Sequence, residues 1–202
     1  MTRIYLIRHG QSEGNLKGYF QGSRDVPLSD LGRKQAEKLG ERCSSLKLDA
    51  VYSSVLSRAH DTAKAVAVKH GMEVIKVPGL EEIHLGVWEG RSISELEVEF
   101  PEEMHRWRVS PHLMTVPGGE SLQEASDRFF AALGSIIDEN PNRTVAVVAH
   151  GGVIRYFFAR VRNVSLDKLA DIKVQGNTSV NLIEYENGKY NIIFENDSSH
   201  LD

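Results

Sequence analysis

Two short apolar runs, each ending abruptly in a histidine-glycine pair, constrain this chain more than any other feature. Ile4-Tyr5-Leu6-Ile7 leads into Arg8-His9-Gly10, and Val145-Ala146-Val147-Val148-Ala149 leads into His150-Gly151-Gly152. Continuous apolar runs of this length read as strands buried on both faces of a sheet. Comparable runs occur at 50–52, 74–77, 180–185 and 190–194. Amphipathic helical patterns separate most of them, at 29–46, 57–69, 121–138 and 153–161. The clearest carries Leu31, Ala36, Leu39 and Cys43 at helical spacing behind a Ser29 or Asp30 cap. Strands alternating with helices predict a three-layer α/β/α fold around a mostly parallel sheet. Asn187-Gly188, between the last two apolar runs, predicts a hairpin and hence an antiparallel edge strand.

A length of 202 residues suits a single domain spanning 1–202. Residues 78–119 are broken by Gly79, Gly86, Gly90, Pro101, Pro111, Pro117 and Gly118-Gly119. They read as an excursion over the active site. The formal net charge of −4 argues against a nucleic-acid partner, because no basic stripe supplies the field that phosphate backbones require. The opening apolar run is too short for a signal peptide or a membrane span, so a cytoplasmic location is expected. Cys43 is the only cysteine, which rules out an intrachain disulfide and fits a small packed side chain.

Open α/β sheets bind ligands at the carboxyl ends of their strands, where both histidines fall. A helix starting near Gly151 would add free backbone N–H groups and a positive dipole end, which favour an anion. In Tyr52-Ser53-Ser54-Val55-Leu56-Ser57-Arg58-Ala59, a further strand leads into a helix and puts Arg58 near its start. A cation there opposes the helix dipole. It makes better sense facing a bound anion shared with Arg8, since guanidinium forks match phosphate oxygens. Any one of these residues alone would read as an ordinary loop or surface group. Their conjunction at three strand-to-helix junctions points to a phosphate site with no metal and no cofactor.

The ordered set Arg8-His9-Gly10-Gln11-Ser12-Glu13-Gly14-Asn15, Gln21-Gly22, Leu28-Ser29-Asp30-Leu31-Gly32, Ser53-Ser54 with Arg58, Glu82-Ile83-His84-Leu85-Gly86-Val87-Trp88-Glu89-Gly90 and His150-Gly151 resembles the histidine phosphatase (phosphoglycerate mutase-like) superfamily. The resemblance covers almost the whole chain. It implies a phosphomonoesterase in which His9 carries the phosphoryl group, Arg8, Arg58, His150 and Gly151 form the phosphate pocket, and Glu82 donates the proton. Asn15 and Gln21 fall where such proteins often place further hydrogen-bond donors. Glu81 is chemically identical to Glu82, and only the family pattern chooses between them. Position 11 is commonly Glu in the family and is Gln here. The implied partners are small phosphate esters and, at most, a second copy of the chain as a homodimer.

Three alternatives bear on this reading. A cofactor-dependent phosphoglycerate mutase would use a similar pocket and return the phosphoryl group to substrate. The short chain and the segment Gly86-Val87-Trp88-Glu89-Gly90 resemble the bacterial broad-specificity phosphatase branch instead. A non-catalytic phospholigand-binding protein would be expected to lack the nucleophile or the acid, and both are present. A Cys-x5-Arg loop fails because Asp49 stands where the arginine would be. For the substrate, Phe100, Trp107, Val109, Leu113 and Met114 are expected mostly in the core, Arg106 and Arg108 are candidate carboxylate binders, and His200 either reaches the substrate or frays with the terminus.

Overall fold

The computed structural model describes residues 1–202. In chain order it runs β1 (Thr2–Arg8), α1 (Glu13–Lys17), α2 (Asp30–Cys43), β2 (Ala50–Ser53), α3 (Ser57–Ala67), β3 (Val74–Lys76), α4 (Ile93–Glu99), α5 (Pro101–Val109), α6 (Leu122–Glu139), β4 (Thr144–Ala149), α7 (Gly151–Val161), β5 (Val180–Glu186) and β6 (Lys189–Asp197). Six strands form one sheet in the order β3-β2-β4-β1-β5-β6. The first four are mutually parallel, and β5 and β6 pair antiparallel as the hairpin turning at Asn187-Gly188. Asn187 and Gly188 both have positive φ, as the tight hairpin turn that Asn-Gly favours requires.

Alternation along the strands divides the core into two layers. Ile4, Leu6, Val145, Val147 and Ala149 face Phe129, Leu133, Ile136, Ile154 and Phe157 of α6 and α7. Ile7, Ala146 and Val148 face the other way, toward Leu39, Cys43, Ala59, Ala63 and Val66 of α2 and α3. β1 and β4 are thus buried on both sides, which is why they read as unbroken apolar runs. Their register pairs Arg8 with Ala149, so His9 and His150 leave adjacent strands at the same edge.

The loop after β1 is held by a close packing of backbones. A Cβ at Gly32 would collide with the Gln11 carbonyl, and one at Gly10 would meet the Gly32 carbonyl oxygen at 2.7 Å. Ser29 caps α2 by accepting from Gly32 N–H at 3.0 Å, and its hydroxyl donates to Gln11 Oε1 at 2.8 Å. Gln11 is therefore occupied in fixing the loop to α2. Between β3 and β4 the chain returns to the carboxyl edge of the sheet, where Glu82, Ile83 and Leu85 ahead of α4, Trp107 of α5 and Pro111 after it line a pocket, before α6 leads to β4.

Candidate active site

That pocket is a cavity of about 260 Å³ lined by Arg8, His9, Asn15, Gln21, Arg58, Glu82, Gly151 and Gly152 on its polar side. The two imidazoles lie against each other, with ring centroids 5.0 Å apart and planes tilted by 57°. His9 Nδ1 is 2.6 Å from Gly10 O. A carbonyl only accepts, so Nδ1 carries the proton and Nε2 is left with its lone pair. Burial, and after it the charges of Arg58 and Arg8, hold His9 well below the ordinary histidine range, against the smaller opposing effect of the Gly10 bond. His9 is therefore neutral at physiological pH. His150 is pushed the same way by burial, then by Arg58. Neither of its buried ring nitrogens has a hydrogen-bond partner in the protein.

Both arginines are fixed by backbone carbonyls. Arg58, 1% exposed, donates from Nη1 to Arg24 O and from Nη2 to Gly22 O, each at 2.8 Å. Arg8 donates from Nη1 to Gln175 O. Their Nε groups are buried and unpartnered. Unpaired buried donors are costly, and a cluster of them on two guanidiniums and an imidazole is what an oxyanion would satisfy. Gly151 matters by its size, because a Cβ there would stand 3.2 Å from Arg8 Nε.

Glu82 sits where the sequence placed an anion. Its Oε2 accepts from Gly152 N–H at 2.9 Å and its Oε1 from Val153 N–H at 3.2 Å. Oε1 also accepts from Ile83 N–H at 3.0 Å. The expectation that the first turn of α7 is free for phosphate therefore needs correction, since two of its three leading N–H groups hold the Glu82 carboxylate. The stretch bearing Glu82 is anchored by Arg128 of α6, which donates to Gly79 O (3.0 Å), Glu81 O (2.7 Å) and Glu82 O (2.9 Å) while pairing with Glu120. Glu81 turns back to accept from Gly79 N–H at 2.5 Å, and the pocket is lined by Glu82 and not by Glu81.

Asn15 and Gln21 both line the pocket. Asn15 Oδ1 completes the capping box of α1 with Ser12, and Gln21 Oε1 accepts from Ser12 Oγ at 2.6 Å. Their oxygens are thus engaged within the protein, and their amide nitrogens make no hydrogen bond to it. The remaining expectations divide. Trp107 lines the pocket, whereas Val109 and Leu113 are exposed. Arg106 and Arg108 lie on the outer surface, paired with Glu102 and Glu97. His200 does not reach the substrate side. Its Nε2 lies 3.1 Å from Thr178 Oγ1, and the backbone N–H of Thr178 donates to His9 O at 3.2 Å, so it braces the loop behind His9. Arg155, which sequence reasoning passed over, lines the pocket. Its spacing of four from Gly151 places both on one helix face.

A family model for the histidine phosphatase superfamily, branch 1, matches residues 4–198. Phosphoserine phosphatase 1 of Hydrogenobacter thermophilus is 35% identical over 201 residues, covering 100% of this chain and 95% of the relative. A metal-independent phosphoserine phosphatase of Arabidopsis thaliana is 37% identical over 205 residues, covering 100% and 84%. Other relatives of comparable similarity bear phosphoglycerate mutase names. Among solved structures, Bacillus stearothermophilus YhfR superposes with a TM-score of 0.96 at 34% identity, covering 100% of both chains. The chain belongs to the histidine phosphatase superfamily.

Proposed function

We propose that this histidine phosphatase, a phosphoric monoester hydrolase, acts on small phosphorylated metabolites through a phosphohistidine formed on His9 Nε2. The observation that carries the reading is His9 with its Nδ1–H held by Gly10 O at 2.6 Å, which leaves the Nε2 lone pair free, beside two guanidiniums with unpartnered buried donors. In the first step Nε2 attacks phosphorus in line while the ester oxygen leaves. Arg8, Arg58 and His150 hold the charge spread over the transferring oxygens. The amide nitrogens of Asn15 and Gln21 and the Gly151 N–H supply further donors. Glu82 protonates the leaving alkoxide, then takes a proton from the water that cleaves the phosphohistidine. The bonds exchanged are C–O–P for N–P, then N–P for HO–P, so no metal or cofactor enters the balance.

We read the whole chain as one catalytic unit, with residues 78–119 covering the site, and the substrate as its main partner. A lone buried thiol pushed up to about 11 by burial suits a cytoplasmic setting, and a homodimer is compatible with the same reading. No helix is long and apolar enough to cross a membrane. The deciding experiment incubates wild type and His9→Ala with radiolabelled phosphate ester in the presence of a chelator, with acid-labile label and released phosphate both measured. Label and phosphate from wild type alone are expected. Equal activity in His9→Ala would refute the mechanism. Isomerisation of 3-phosphoglycerate that depends on 2,3-bisphosphoglycerate, without phosphate release, would establish a mutase.

A further inference from the structure

Beyond the phosphate end, the pocket wall is made largely of Tyr19, Phe20, Ile83, Leu85, Trp107 and Val174. One charged group interrupts it. Arg155 donates from Nε to Ile172 O at 2.7 Å and from Nη2 to Leu169 O at 2.6 Å. These bonds fix the guanidinium plane, and they leave Nη1 without a protein partner. Nη1 is not among the buried unpartnered atoms, so it is accessible, and Arg155 lines the cavity.

Most other arginines of the chain pair with a carboxylate: Arg3, Arg33, Arg42, Arg91, Arg128 and Arg160 all do. Arg155 hydrogen-bonds carbonyl oxygens only. In that respect it resembles Arg8 and Arg58, the guanidiniums at the phosphate end. A half-buried guanidinium held rigid against an apolar wall, with one edge unused, has already lost the side-chain freedom that binding would otherwise cost. It stands one helical turn from Gly151 on the face of α7 that lines the same cavity. A lone cation at this end matches the single charge of a carboxylate better than a second phosphate dianion.

We propose that Arg155 is a specificity-determining residue that binds a carboxylate on the substrate, so that the preferred esters are phosphorylated small acids. The inference rests on the phosphomonoesterase reading above, and the test separates the two. Phosphoserine and phosphoethanolamine differ only by the carboxylate. Wild type is expected to favour phosphoserine in kcat/KM, and Arg155→Met to lower that preference at least tenfold, with the loss carried by KM. Arg155→Lys should recover part of it. A wild type with no preference, a preference ratio that Arg155→Met changes less than twofold, or equal losses on both esters would overturn the assignment. Calorimetric binding of the same two esters to His9→Ala, with and without Arg155→Met, reads the contact without turnover. Should wild type hydrolyse neither ester nor nitrophenyl phosphate, the phosphatase reading fails, and the calorimetric difference alone decides Arg155.

Discussion

Gly152→Ala isolates the placement of Glu82 from its chemistry. A Cβ at position 152 would stand 3.1 Å from Glu82 Cδ and 3.3 Å from Oε2, and would overlap Oε1. Carbon and oxygen at rest need about 3.5 Å, so the carboxylate must retreat by roughly 1 Å. Retreat breaks the bonds from Gly152 and Val153 N–H at 2.9 and 3.2 Å, each worth about 0.5–1.5 kcal/mol. A misplacement of about 1 Å in a reacting group costs on the order of 10² in rate. The fold should tolerate the change, since alanine is favoured over glycine in a helix by up to about 1 kcal/mol and the clashing atom ends a flexible side chain. Gly152→Ala should therefore still fold, with a lowered melting temperature because helix propensity of up to about 1 kcal/mol does not replace the two lost bonds, while the first turnover of an alkyl phosphate slows about 10²-fold. Nitrophenyl phosphate expels a stable anion and needs little proton donation, so its first turnover should slow far less. Stopped-flow and rapid-quench burst kinetics measure both. An alkyl-ester burst within twofold of wild type would refute the argument that the Glu82 carboxylate, held on α7, is the acid.

Arg128→Ala withdraws the donors that hold the carbonyls of Gly79, Glu81 and Glu82, and an unsatisfied buried acceptor costs about 1–3 kcal/mol. We expect a lower urea midpoint together with a selective slowing of alkyl over nitrophenyl esters, partly rescued by Arg128→Lys; a uniform slowing of both would make Arg128 structural only. His9 and His150 are both held well below 6.5, so as pH falls below about 6.5 the unfolded chain binds protons that the folded chain refuses. Their contribution to stability is complete above that pH and declines below it, by at most about 1.4 kcal/mol per pH unit for each ring. The urea midpoint should therefore drop between pH 7 and pH 5.5 while the NMR ring signals of both residues show neutral imidazole; a ring midpoint at or above 6.5 would contradict the burial argument.

Features whose cause is local were legible in the sequence. β1 and β4 announce themselves because burial on both faces demands unbroken apolar residues, and the hairpin because Asn187 and Gly188 adopt positive φ. Arg58 near the start of α3 could be read because a cation there is locally unfavourable, which asks for a compensating ligand. The pattern Leu28-Ser29-Asp30-Leu31-Gly32 could be recognised but not explained, since the reason for Gly32 is the Gln11 carbonyl, 21 residues away in sequence. Arg155 carried a usable signal, four residues from Gly151 on the same helix face. It was passed over because nothing local distinguishes it from the surface-paired Arg160 one turn and one residue further on.

Glu82 shows most plainly why long-range geometry escapes a linear reading. The free N–H groups of α7 do attract an anion, as the helix dipole requires, but the anion held by Gly152 and Val153 is a side chain of the protein, 70 residues away from Gly152. The second glycine of His150-Gly151-Gly152 then has a specific cause: position 152 must lack a Cβ so that the carboxylate can reach the helix end. The first glycine clears the path of Arg8, whose Nε would stand 3.2 Å from a Cβ at 151. One dipeptide thus seats the Arg8 guanidinium on one side and the Glu82 carboxylate on the other. This fixes the Glu82 carboxylate relative to the Arg8 guanidinium by backbone alone, and it explains why the motif needs two small residues where a helix start by itself needs none.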